Sequence, residues 1–290
     1  MPKRKPRAAA GYRPYHGRRS FLRGTVIVLL VLLLLTGGLY CYARWVEPRL
    51  LKVERLTVEN PLASDSLRIA VVADLHVGLS SGAQRVAQVT ACVAKLRPDL
   101  VVFLGDLFDN YSTYSEGDEA LLTEVLSMPA LPAVRKYAVW GNHDVGGGAE
   151  RIYPKIMEQA GWTLLKNENI QLSGNVNLIG ADDLIWGEPN VQGLVREGAF
   201  NLLLCHEPDY GDQVTGVQLQ LSAHTHGLQI NLPFSAYRNM VAPPGGRHYL
   251  YGRYEKADGG IIYVTRGVGM SLMPYRFAAV PEITLVEVNP

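Results

Sequence analysis

Several stretches of this sequence place metal-binding residue types directly after an apolar run. The clearest is Asn142-His143-Asp144, which follows the strand-like stretch 134–139 and leads into three consecutive glycines. Alone, such a stretch is also typical of a loop that caps itself. Further stretches have the same position after an apolar run, and they contribute these residues: Asp74, His76, Asp106, His206, His224 and His226. The repetition favours one shared metal site over a set of unrelated turns.

The donors in this set are carboxylate and amide oxygens and imidazole nitrogens. Such donors suit divalent first-row ions such as Mn, Fe, Zn or Ni, whereas thiolates would indicate structural zinc or an iron–sulfur cluster. Together with Asn142 and His143 the set is too large for one tetrahedral ion. It predicts two divalent metal ions, with Asp106 as the bridging ligand because a carboxylate offers two oxygens and four lone-pair sites.

The position of these residues in the chain predicts that they converge. Buried strands whose carboxyl ends carry polar groups bring those groups together at one rim of a sheet. Side chains two residues apart in an extended segment leave the same face. The pair Asp74 and His76 has this spacing, and so has the pair His224 and His226. The side chains of each pair are therefore expected to point into one cavity. For His224 and His226, the alternative is that the two side chains bind neighbouring ions.

The rest of the domain alternates apolar runs with helical periods. Apolar residues at helical spacing predict helices over 86–96, 121–126 and 152–160. Buried strands are expected at 67–73, 100–104, 134–139, 169–172, 176–180, 200–205, 217–223, 260–265 and 283–288. The segment 233–254 is rich in Pro, Gly and Tyr, and we expect it to form a long loop over the site. Its tyrosines, offered for lipid or sugar contact, are Tyr237, Tyr249, Tyr251 and Tyr254. The pattern predicts an α/β layered domain with more than one sheet.

The charge distribution argues against nucleic-acid binding. The chain has 28 Lys and Arg against 27 Asp and Glu, but eight of the basic residues fall within residues 1–23, which hold no acid. The remainder is therefore mildly acidic, whereas a nucleic-acid surface needs clustered Lys and Arg. The three cysteines are too few and too scattered for a disulfide framework.

The amino-terminal part predicts a membrane anchor. Residues 1–23 are expected to form a disordered basic tail and residues 24–43 a transmembrane helix, because 20 uncharged helical residues span about 30 Å. A secretory signal and lipoprotein processing at Cys41 compete with this prediction. The region lacks an A-x-A site and Tyr40 is not small, so an uncleaved anchor is favoured. A connector over 44–66 and a catalytic domain over 67–290 are expected to follow.

The flanking charges predict the orientation of this anchor. Eight basic residues precede the apolar stretch, and fewer follow it closely, namely Arg44, Arg49, Lys52 and Arg55. The positive-inside rule then predicts a single-pass protein of the cell membrane, with the amino terminus in the cytoplasm and the catalytic domain outside.

Taken together, the motifs resemble those of the calcineurin-like metallophosphoesterases. The resemblance covers about residues 67–288 and rests on these blocks: Asp74-Leu75-His76, Gly105-Asp106, Gly141-Asn142-His143-Asp144, His206 and Ala223-His224-Thr225-His226. The stretches 263–269 and 281–284 look most like bacterial membrane-associated phosphodiesterases of the YkuE and YaeI kind. The resemblance implies a four-layer α/β/β/α sandwich with a dinuclear metal site between the sheet edges.

The resemblance also implies a division of the ligands. One ion would take Asp74, His76 and His226, the other would take Asn142, His206 and His224, and Asp106 would be shared. Two departures from the family pattern concern the mouth of the site. Ala223 stands where glycine is usual, and Leu228 stands where a second glycine is common.

Other residues keep more than one interpretation at this stage. His143, unligated in the family pattern, is expected to protonate the leaving oxygen or steady the phosphoryl charge. Asp144 either orients the His143 ring or forms a solvated cap. The remaining candidates are Asp109 as a turn former or ligand, His248 as a surface residue or substrate contact, and Arg266 and Arg276 as phosphate-binding or packing residues.

The function expected from these features is hydrolysis of a phosphodiester or pyrophosphate bond in a phosphorylated lipid or envelope component. One alternative is the UDP-diacylglucosamine pyrophosphatase of lipid A synthesis, although its reaction on the cytoplasmic face conflicts with the predicted orientation. A phosphomonoesterase that acts on proteins is a second alternative. A catalytically silent membrane adaptor is a third, but such proteins usually lose ligands and none is missing here.

Overall fold

The computed structural model describes residues 16–78, 81–114 and 119–290, and these fall into two compact units, Met1–Tyr42 and Ala43–Pro290. In the first unit, helix α1 runs over His16–Cys41. The stretch Ser20–Arg49 is long and apolar enough to cross a membrane, by length and composition. The expected disordered tail lies largely outside the described residues. Where it is described, from residue 16 to residue 23, it is helical, because the apolar helix extends further toward the amino terminus than the uncharged run.

The second unit contains the remaining helices and all the strands of the described chain. The helices are α2 (Ala83–Leu96), α3 (Tyr111–Tyr114), α4 (Glu119–Leu126), α5 (Asn142–Gly146), α6 (Ile152–Gln159) and α7 (Ser235–Val241). The strands are β1 (Lys52–Glu59), β2 (Leu67–Val72), β3 (Leu100–Phe103), β4 (Arg135–Ala138), β5 (Thr163–Leu164), β6 (Glu168–Gln171), β7 (Val176–Gly180), β8 (Phe200–Leu204), β9 (Leu219–Ser222), β10 (Gly252–Glu255), β11 (Ile261–Val264) and β12 (Glu282–Asn289). Short 3-10 helices lie at Glu47–Arg49, Gln192–Leu194, Pro208–Gln213 and His226–Leu228.

The strands form two six-stranded sheets. The first has the order β1-β12-β2-β3-β4-β5 and the second the order β10-β11-β9-β8-β7-β6. Strands β2, β3 and β4 run parallel to one another, and so do β7, β8 and β9. The carboxyl ends of the central strands in each sheet therefore lie at one edge, where the chain can bring distant residues together.

Alternating side chains divide the core into layers. Val102 of β3 and Leu202 of β8 lie in the apolar core between the two sheets. The next residue in β3, Phe103, packs on the opposite face with apolar residues of α2, α4 and α6. The next residue in β8, Leu203, packs instead against Tyr210 of a 3-10 helix. The unit is thus a mixed α/β fold with two sheets between outer layers, and the layer on the second sheet is made of short 3-10 helices and loops.

Two expectations about the chain order are wrong in part. The expected connector 44–66 contains β1, which pairs in parallel with β12. Charged and polar side chains alternate with the buried Leu56 and Val58 of β1, as is typical of an edge strand. The strand therefore has no continuous apolar run that would predict it. The expected loop 233–254 contains α7, whose residues are all exposed or half-buried, so it has no buried apolar stripe to reveal it.

Truncation of the core between the sheets should lower stability. We expect Leu202→Ala to reduce the free energy of unfolding by about 2–5 kcal/mol, because the fully buried side chain leaves a cavity between two sheets. Urea unfolding of the purified full chain in detergent measures this change. Leu121→Ala, at a site 39% exposed, is the matched control and should cost less than about 1 kcal/mol. Equal effects of the two substitutions would contradict the layer assignment.

Candidate metal centre

The strand ends bring the predicted ligands to one place. Each predicted ligand comes from a loop that follows a buried strand: β2 leads to Asp74 and His76, β3 to Asp106, β4 to Asn142, β8 to His206, and β9 to His224 and His226. All are buried except the half-buried Asn142. Residues up to 150 positions apart in sequence therefore meet in the interior, as between His76 and His226.

One cluster consists of Asp74, His76 and His226. Their potential ligand atoms all lie within 4.8 Å of one another. The two imidazole Nε2 atoms face each other at 3.0 Å. Burial lowers the pKa of His226 well below its usual value, and the neighbouring His76 ring lowers it further. Two imidazole rings facing each other beside a carboxylate, one of them kept neutral by burial, form a donor set that fits a divalent cation.

A second cluster consists of Asn142, His206 and His224. Asn142 Oδ1 lies 3.2 Å from His206 Nε2 and 2.8 Å from His224 Nδ1. The far nitrogens of both rings face backbone carbonyls, with His206 Nδ1 at 2.6 Å from Leu104 O and His224 Nε2 at 2.8 Å from Pro244 O. A carbonyl only accepts, so each ring donates its proton there and a neutral ring turns an unprotonated nitrogen toward Asn142. A cation satisfies such a convergence of lone pairs.

The two clusters share Asp106. Its Oδ2 lies 3.5 Å from His76 Nε2 of the first cluster and 3.2 Å from His206 Nε2 of the second. Burial alone would raise the pKa of Asp106, but the His206, His143 and His76 rings outweigh it and hold the pKa well below the usual value. For His206, burial lowers the pKa, and the Asp106 carboxylate outweighs burial and raises it well above the usual value. The negative charge of Asp106 thus draws positive charge to the point between the clusters.

An unsatisfied buried carboxylate oxygen also supports metal binding at these clusters. Asp74 Oδ2 is fully buried and, among the described residues, has no hydrogen-bond partner. Burial is the main reason that the pKa of Asp74 is raised, because a carboxylate without partners is costly in the interior. A bound cation would remove that cost. The residues present therefore fit a pair of divalent ions.

The convergence depends on left-handed backbone rather than on extended segments. Asp74, His76, Asp106, His224 and His226 all have positive φ, between 42° and 70°. The expectation that Asp74 and His76 share a face of an extended segment is therefore wrong, and the turn after β2 brings their side chains together instead. Non-glycine residues in this region cost about 1–3 kcal/mol each and concentrate at functional sites. The second pair divides, with His224 in one cluster and His226 in the other.

Close backbone packing holds two of these turns against each other. Gly141 precedes α5, and a Cβ atom on it would lie 2.3 Å from Asp106 Oδ1. Glycine is therefore required at position 141 for the bridging carboxylate to keep its place.

His143 lies at the edge of the clusters and lines the open cleft. Its Nδ1 is 2.5 Å from the backbone oxygen of Asp109, and its Nε2 is 3.4 Å from Ser271 Oγ. Its ring stands edge-on to His76, with the ring centroids 4.7 Å apart. Burial alone would lower the pKa of His143, but the Asp106 carboxylate and the Asp109 carbonyl outweigh it and raise the pKa.

Asp144 does not orient the His143 ring, and the cap that it forms at the start of α5 is buried rather than solvated. Its carboxylate is fully buried and accepts hydrogen bonds from the backbone amides of Asp106, Leu107 and Gly141, at 2.8, 2.9 and 3.2 Å. Burial and the Asp106 charge raise the pKa of Asp144 to about 7, against the pull of these amides. Both oxygens are engaged by backbone, so Asp144 holds the turn of Asp106 and does not orient the His143 ring.

Two further carboxylates lie close to the site: Asp109, which the sequence left open as a turn former or a ligand, and Glu207, which the sequence pattern did not single out. The Asp109 carboxylate lies 3.4 Å from His76 Nδ1, in addition to the carbonyl contact with His143. Glu207 is fully buried beside His206 and His224, and it accepts a hydrogen bond from Leu184 N. For Asp109, the signal in the sequence was its position three residues after Asp106.

The two arginines with open roles are both packing residues. Arg276 is fully buried and donates to the carbonyls of Arg266, Gly269 and Ala279, with one nitrogen 3.4 Å from His226 Nδ1. Burial lowers the pKa of Arg276 to about 10. Arg266 pairs with Glu282 at 2.7 Å. The Arg276 guanidinium is enclosed by backbone carbonyls, and the Arg266 guanidinium lies between its ion-pair partner Glu282 and the Tyr251 ring.

A cleft of about 580 Å³ opens beside the clusters. Its lining includes the site residues Asn142 and His143 and apolar side chains such as Trp186, Leu228, Tyr237 and Met273. Of the tyrosines offered for substrate contact, Tyr237 lies in this lining. The others have different contacts: Tyr249 donates to Asp212, Tyr251 lies under the Arg266 guanidinium, and Tyr254 accepts from Leu250 N. His248 is exposed and pairs with Asp212, as expected of a surface histidine.

Comparison with known proteins identifies the family. The model of the calcineurin-like phosphoesterase family matches residues 67–228. The uncharacterized metallophosphoesterase YkuE of Bacillus subtilis is 36% identical over 281 residues, which cover 92% of this chain and 96% of that protein. YkoQ of the same organism is 26% identical over 288 residues, covering 91% of this chain and 99% of that protein. A transmembrane protein with metallophosphoesterase domain from Danio rerio is 25% identical over 286 residues, covering 91% of this chain and 62% of that protein. A family model matched over more than half of the chain, and a relative this similar over nearly its whole length, show that the chain belongs to the calcineurin-like phosphoesterase family.

Proposed function

We propose that this protein is a membrane-anchored phosphoesterase that uses two divalent ions to hydrolyse a phosphodiester or pyrophosphate bond in a phosphorylated lipid or envelope component. The supporting observation is the single carboxylate, Asp106, within 3.5 Å of an imidazole nitrogen in each of two donor clusters. The apolar residues 24–43 form the anchor, with the amino terminus in the cytoplasm and the catalytic domain on the other side.

The residues divide between binding metal and moving protons. Asp74, His76 and His226 would hold one ion, Asn142, His206 and His224 would hold the other, and Asp106 would serve both. When bound, a pair of divalent ions supplies Lewis acidity toward phosphoryl oxygens and lowers the pKa of water. The backbone carbonyls of Leu104 and Pro244 accept the outer protons of His206 and His224, and this fixes which nitrogen faces inward.

His143 supplies the proton for the leaving group. The Asp109 carbonyl beside Nδ1 favours a protonated nitrogen there, which leaves Nε2 facing Ser271 and the open cleft. The raised pKa of His143 increases the fraction of the imidazolium form, whose Nε2–H donates to the departing oxygen. Because it lies at the cleft and beside His76, this ring can reach a phosphoryl group without leaving its place.

Metal content tests the bridging role of Asp106. We expect the purified full chain, stripped with chelator and reloaded with Mn²⁺, to bind about two ions and to hydrolyse bis-p-nitrophenyl phosphate. Asp106→Asn should lose metal and bring hydrolysis to background, because the amide removes the charge between the clusters. Metal analysis of the protein measures the bound ions, and the absorbance of released nitrophenol measures the rate of hydrolysis. Asp65→Asn, at an exposed carboxylate, is the control. A chain that takes up no metal would support the silent adaptor instead.

Substitution of His143 separates proton transfer from metal binding. His143→Ala should lower the rate of hydrolysis by about 10²–10⁴-fold, since a general acid contributes this much. Metal content should stay at the wild-type value because the ring is placed outside both ligand sets. The exposed His248 serves as the matched control, and His248→Ala should change neither quantity. Loss of metal in His143→Ala would instead make His143 a ligand.

Substitution of Asp144 tests its structural role. Asp144→Asn places an amide group against backbone N–H donors and leaves at least one buried amide without an acceptor. The free energy of unfolding should fall by about 1–3 kcal/mol, as urea unfolding of the metal-free chain in detergent would show. Asp209→Asn is the control, because this half-buried carboxylate also accepts from two backbone amides, those of Arg247 and His248, but water can replace it there. An equal or larger loss in Asp209→Asn would contradict the role given to Asp144.

A further inference from the structure

We propose that the mouth of the catalytic cleft is a membrane-contacting rim, through which the site takes its phosphorylated substrate directly from the lipid bilayer. The substrate part of this proposal rests on the proposed function above, whereas the contact with lipid is a separate physical property of the surface.

The rim is formed by exposed apolar side chains around the cleft. In the described residues after Leu50, the exposed large apolar side chains are Leu121 and the following five: Trp186 (64%), Phe234 (62%), Met240 (75%), Leu272 (88%) and Met273 (51%). We call these five the apolar rim. Exposed apolar residues scattered singly are ordinary, but a cluster around one opening marks an interaction surface.

All five come from segments that wall the cleft. Trp186, Leu272 and Met273 line it directly. Phe234 immediately precedes α7 and Met240 belongs to it, and Tyr237 and Val241 of the same helix line the cleft. Every residue of α7 is exposed or half-buried, so the helix is held at the mouth without an apolar face packed on the core.

The rim is tied by hydrogen bonds to the segment where the chain leaves the apolar helix. The loop that carries Leu272 continues to Arg276, whose backbone amide donates to Ala43 O at 3.0 Å. Further along, the amides of Ala278 and Ala279 donate to the buried Glu47 carboxylate at 3.1 and 2.6 Å. Residues 43–47 follow α1 in the chain after Tyr42, so the loop that carries the rim residue Leu272 is hydrogen-bonded to the stretch that comes next in sequence after that helix.

Charge next to the rim favours lipid as the occupant. A polar pocket of about 730 Å³ is lined by Arg44, Arg49 and Arg85, and also by Gly269 and Met270, which immediately precede the cleft residue Ser271. Arg85 donates to the carbonyls of Pro48 and Leu50, and with Arg44 and Arg49 it places positive charge beside the apolar opening. Such charge suits a surface of anionic headgroups over hydrocarbon. The neighbouring Trp45 is exposed and lies 5.8 Å from the Arg44 guanidinium, an arrangement typical of the membrane interface. The occupant we infer is therefore an anionic lipid bilayer rather than a protein partner.

Trp186 provides a direct test that does not depend on activity. The full chain is reconstituted in vesicles of phosphatidylcholine and phosphatidylglycerol, with and without brominated acyl chains that quench tryptophan. The emission lost on Trp186→Phe should be quenched by the brominated lipid. The emission lost on Trp140→Phe, where the half-buried ring packs on Tyr153, should not. These vesicles contain no protein besides this chain, so a rim that binds a protein partner instead of lipid would leave the Trp186 emission unquenched. Unquenched Trp186 emission therefore overturns the proposal.

Charge on the rim tests delivery of the substrate. In the same vesicles, Leu272→Asp/Met273→Asp should lower hydrolysis of an embedded phospholipid diester relative to soluble bis-p-nitrophenyl phosphate by about tenfold or more, since charge disfavours insertion into hydrocarbon. Ala130→Asp, at an exposed position that lines neither the cleft nor the arginine pocket, should leave the ratio unchanged. An unchanged ratio in the double variant overturns direct delivery from the bilayer. Quenching without hydrolysis of either substrate contradicts the proposed function alone, and hydrolysis of the soluble diester without quenching contradicts the rim alone.

Discussion

The central constraint in this structure is the buried carboxylate of Asp106, held between imidazole nitrogens of two clusters. Burying a carboxylate among neutral donors is unfavourable unless positive charge is present. In the part of the chain that the structure describes, the side chains paired with this carboxylate are imidazoles, and neither a lysine nor an arginine pairs with it. Imidazole nitrogens and an amide oxygen surround the carboxylate. The outer ring nitrogens of His206 and His224 donate their protons to backbone carbonyls. The interior is therefore preorganised for cations, and the metal chemistry of the family follows from that electrostatic requirement.

A second cost is conformational, and it is offset by the surrounding backbone. The ligand-bearing turns adopt left-handed conformations that are unfavourable for residues with a Cβ atom. They persist because other groups hold them: Asp144 binds the amides at Asp106, and Gly141 allows that turn to approach closely. Arg276 has a comparable function, because its buried guanidinium crosslinks carbonyls behind His226. The rigid sheets and these crosslinks together keep the donors in place.

The surroundings of the site are as informative as the donors. Asn142, His143, His224 and His226 line one part of the cleft, and most of its other lining residues are apolar. Such walls suit a substrate with a hydrophobic part. The same loop that carries Leu272 also carries Arg276, and it is hydrogen-bonded to Glu47 in the segment after the apolar helix. The cleft lining, the contact with His226 and the hydrogen bonds to Glu47 thus lie on one short stretch of chain.

The sequence by itself determined the donor set, the alternation of strands and helices, and the apolar amino-terminal helix, because each is a local pattern of residue types. The convergence of Asp74, Asp106, His206 and His224 also followed from the sequence, since parallel strands end at one edge. Only the tertiary structure revealed β1 and α7, whose local patterns are those of an edge strand and of a helix without a buried stripe. It also decided that Asp144 binds backbone amides, that Arg276 packs, and that left-handed turns aim the ligands. These outcomes depend on which groups distant in the chain approach one another, and no local pattern of residues contains that information.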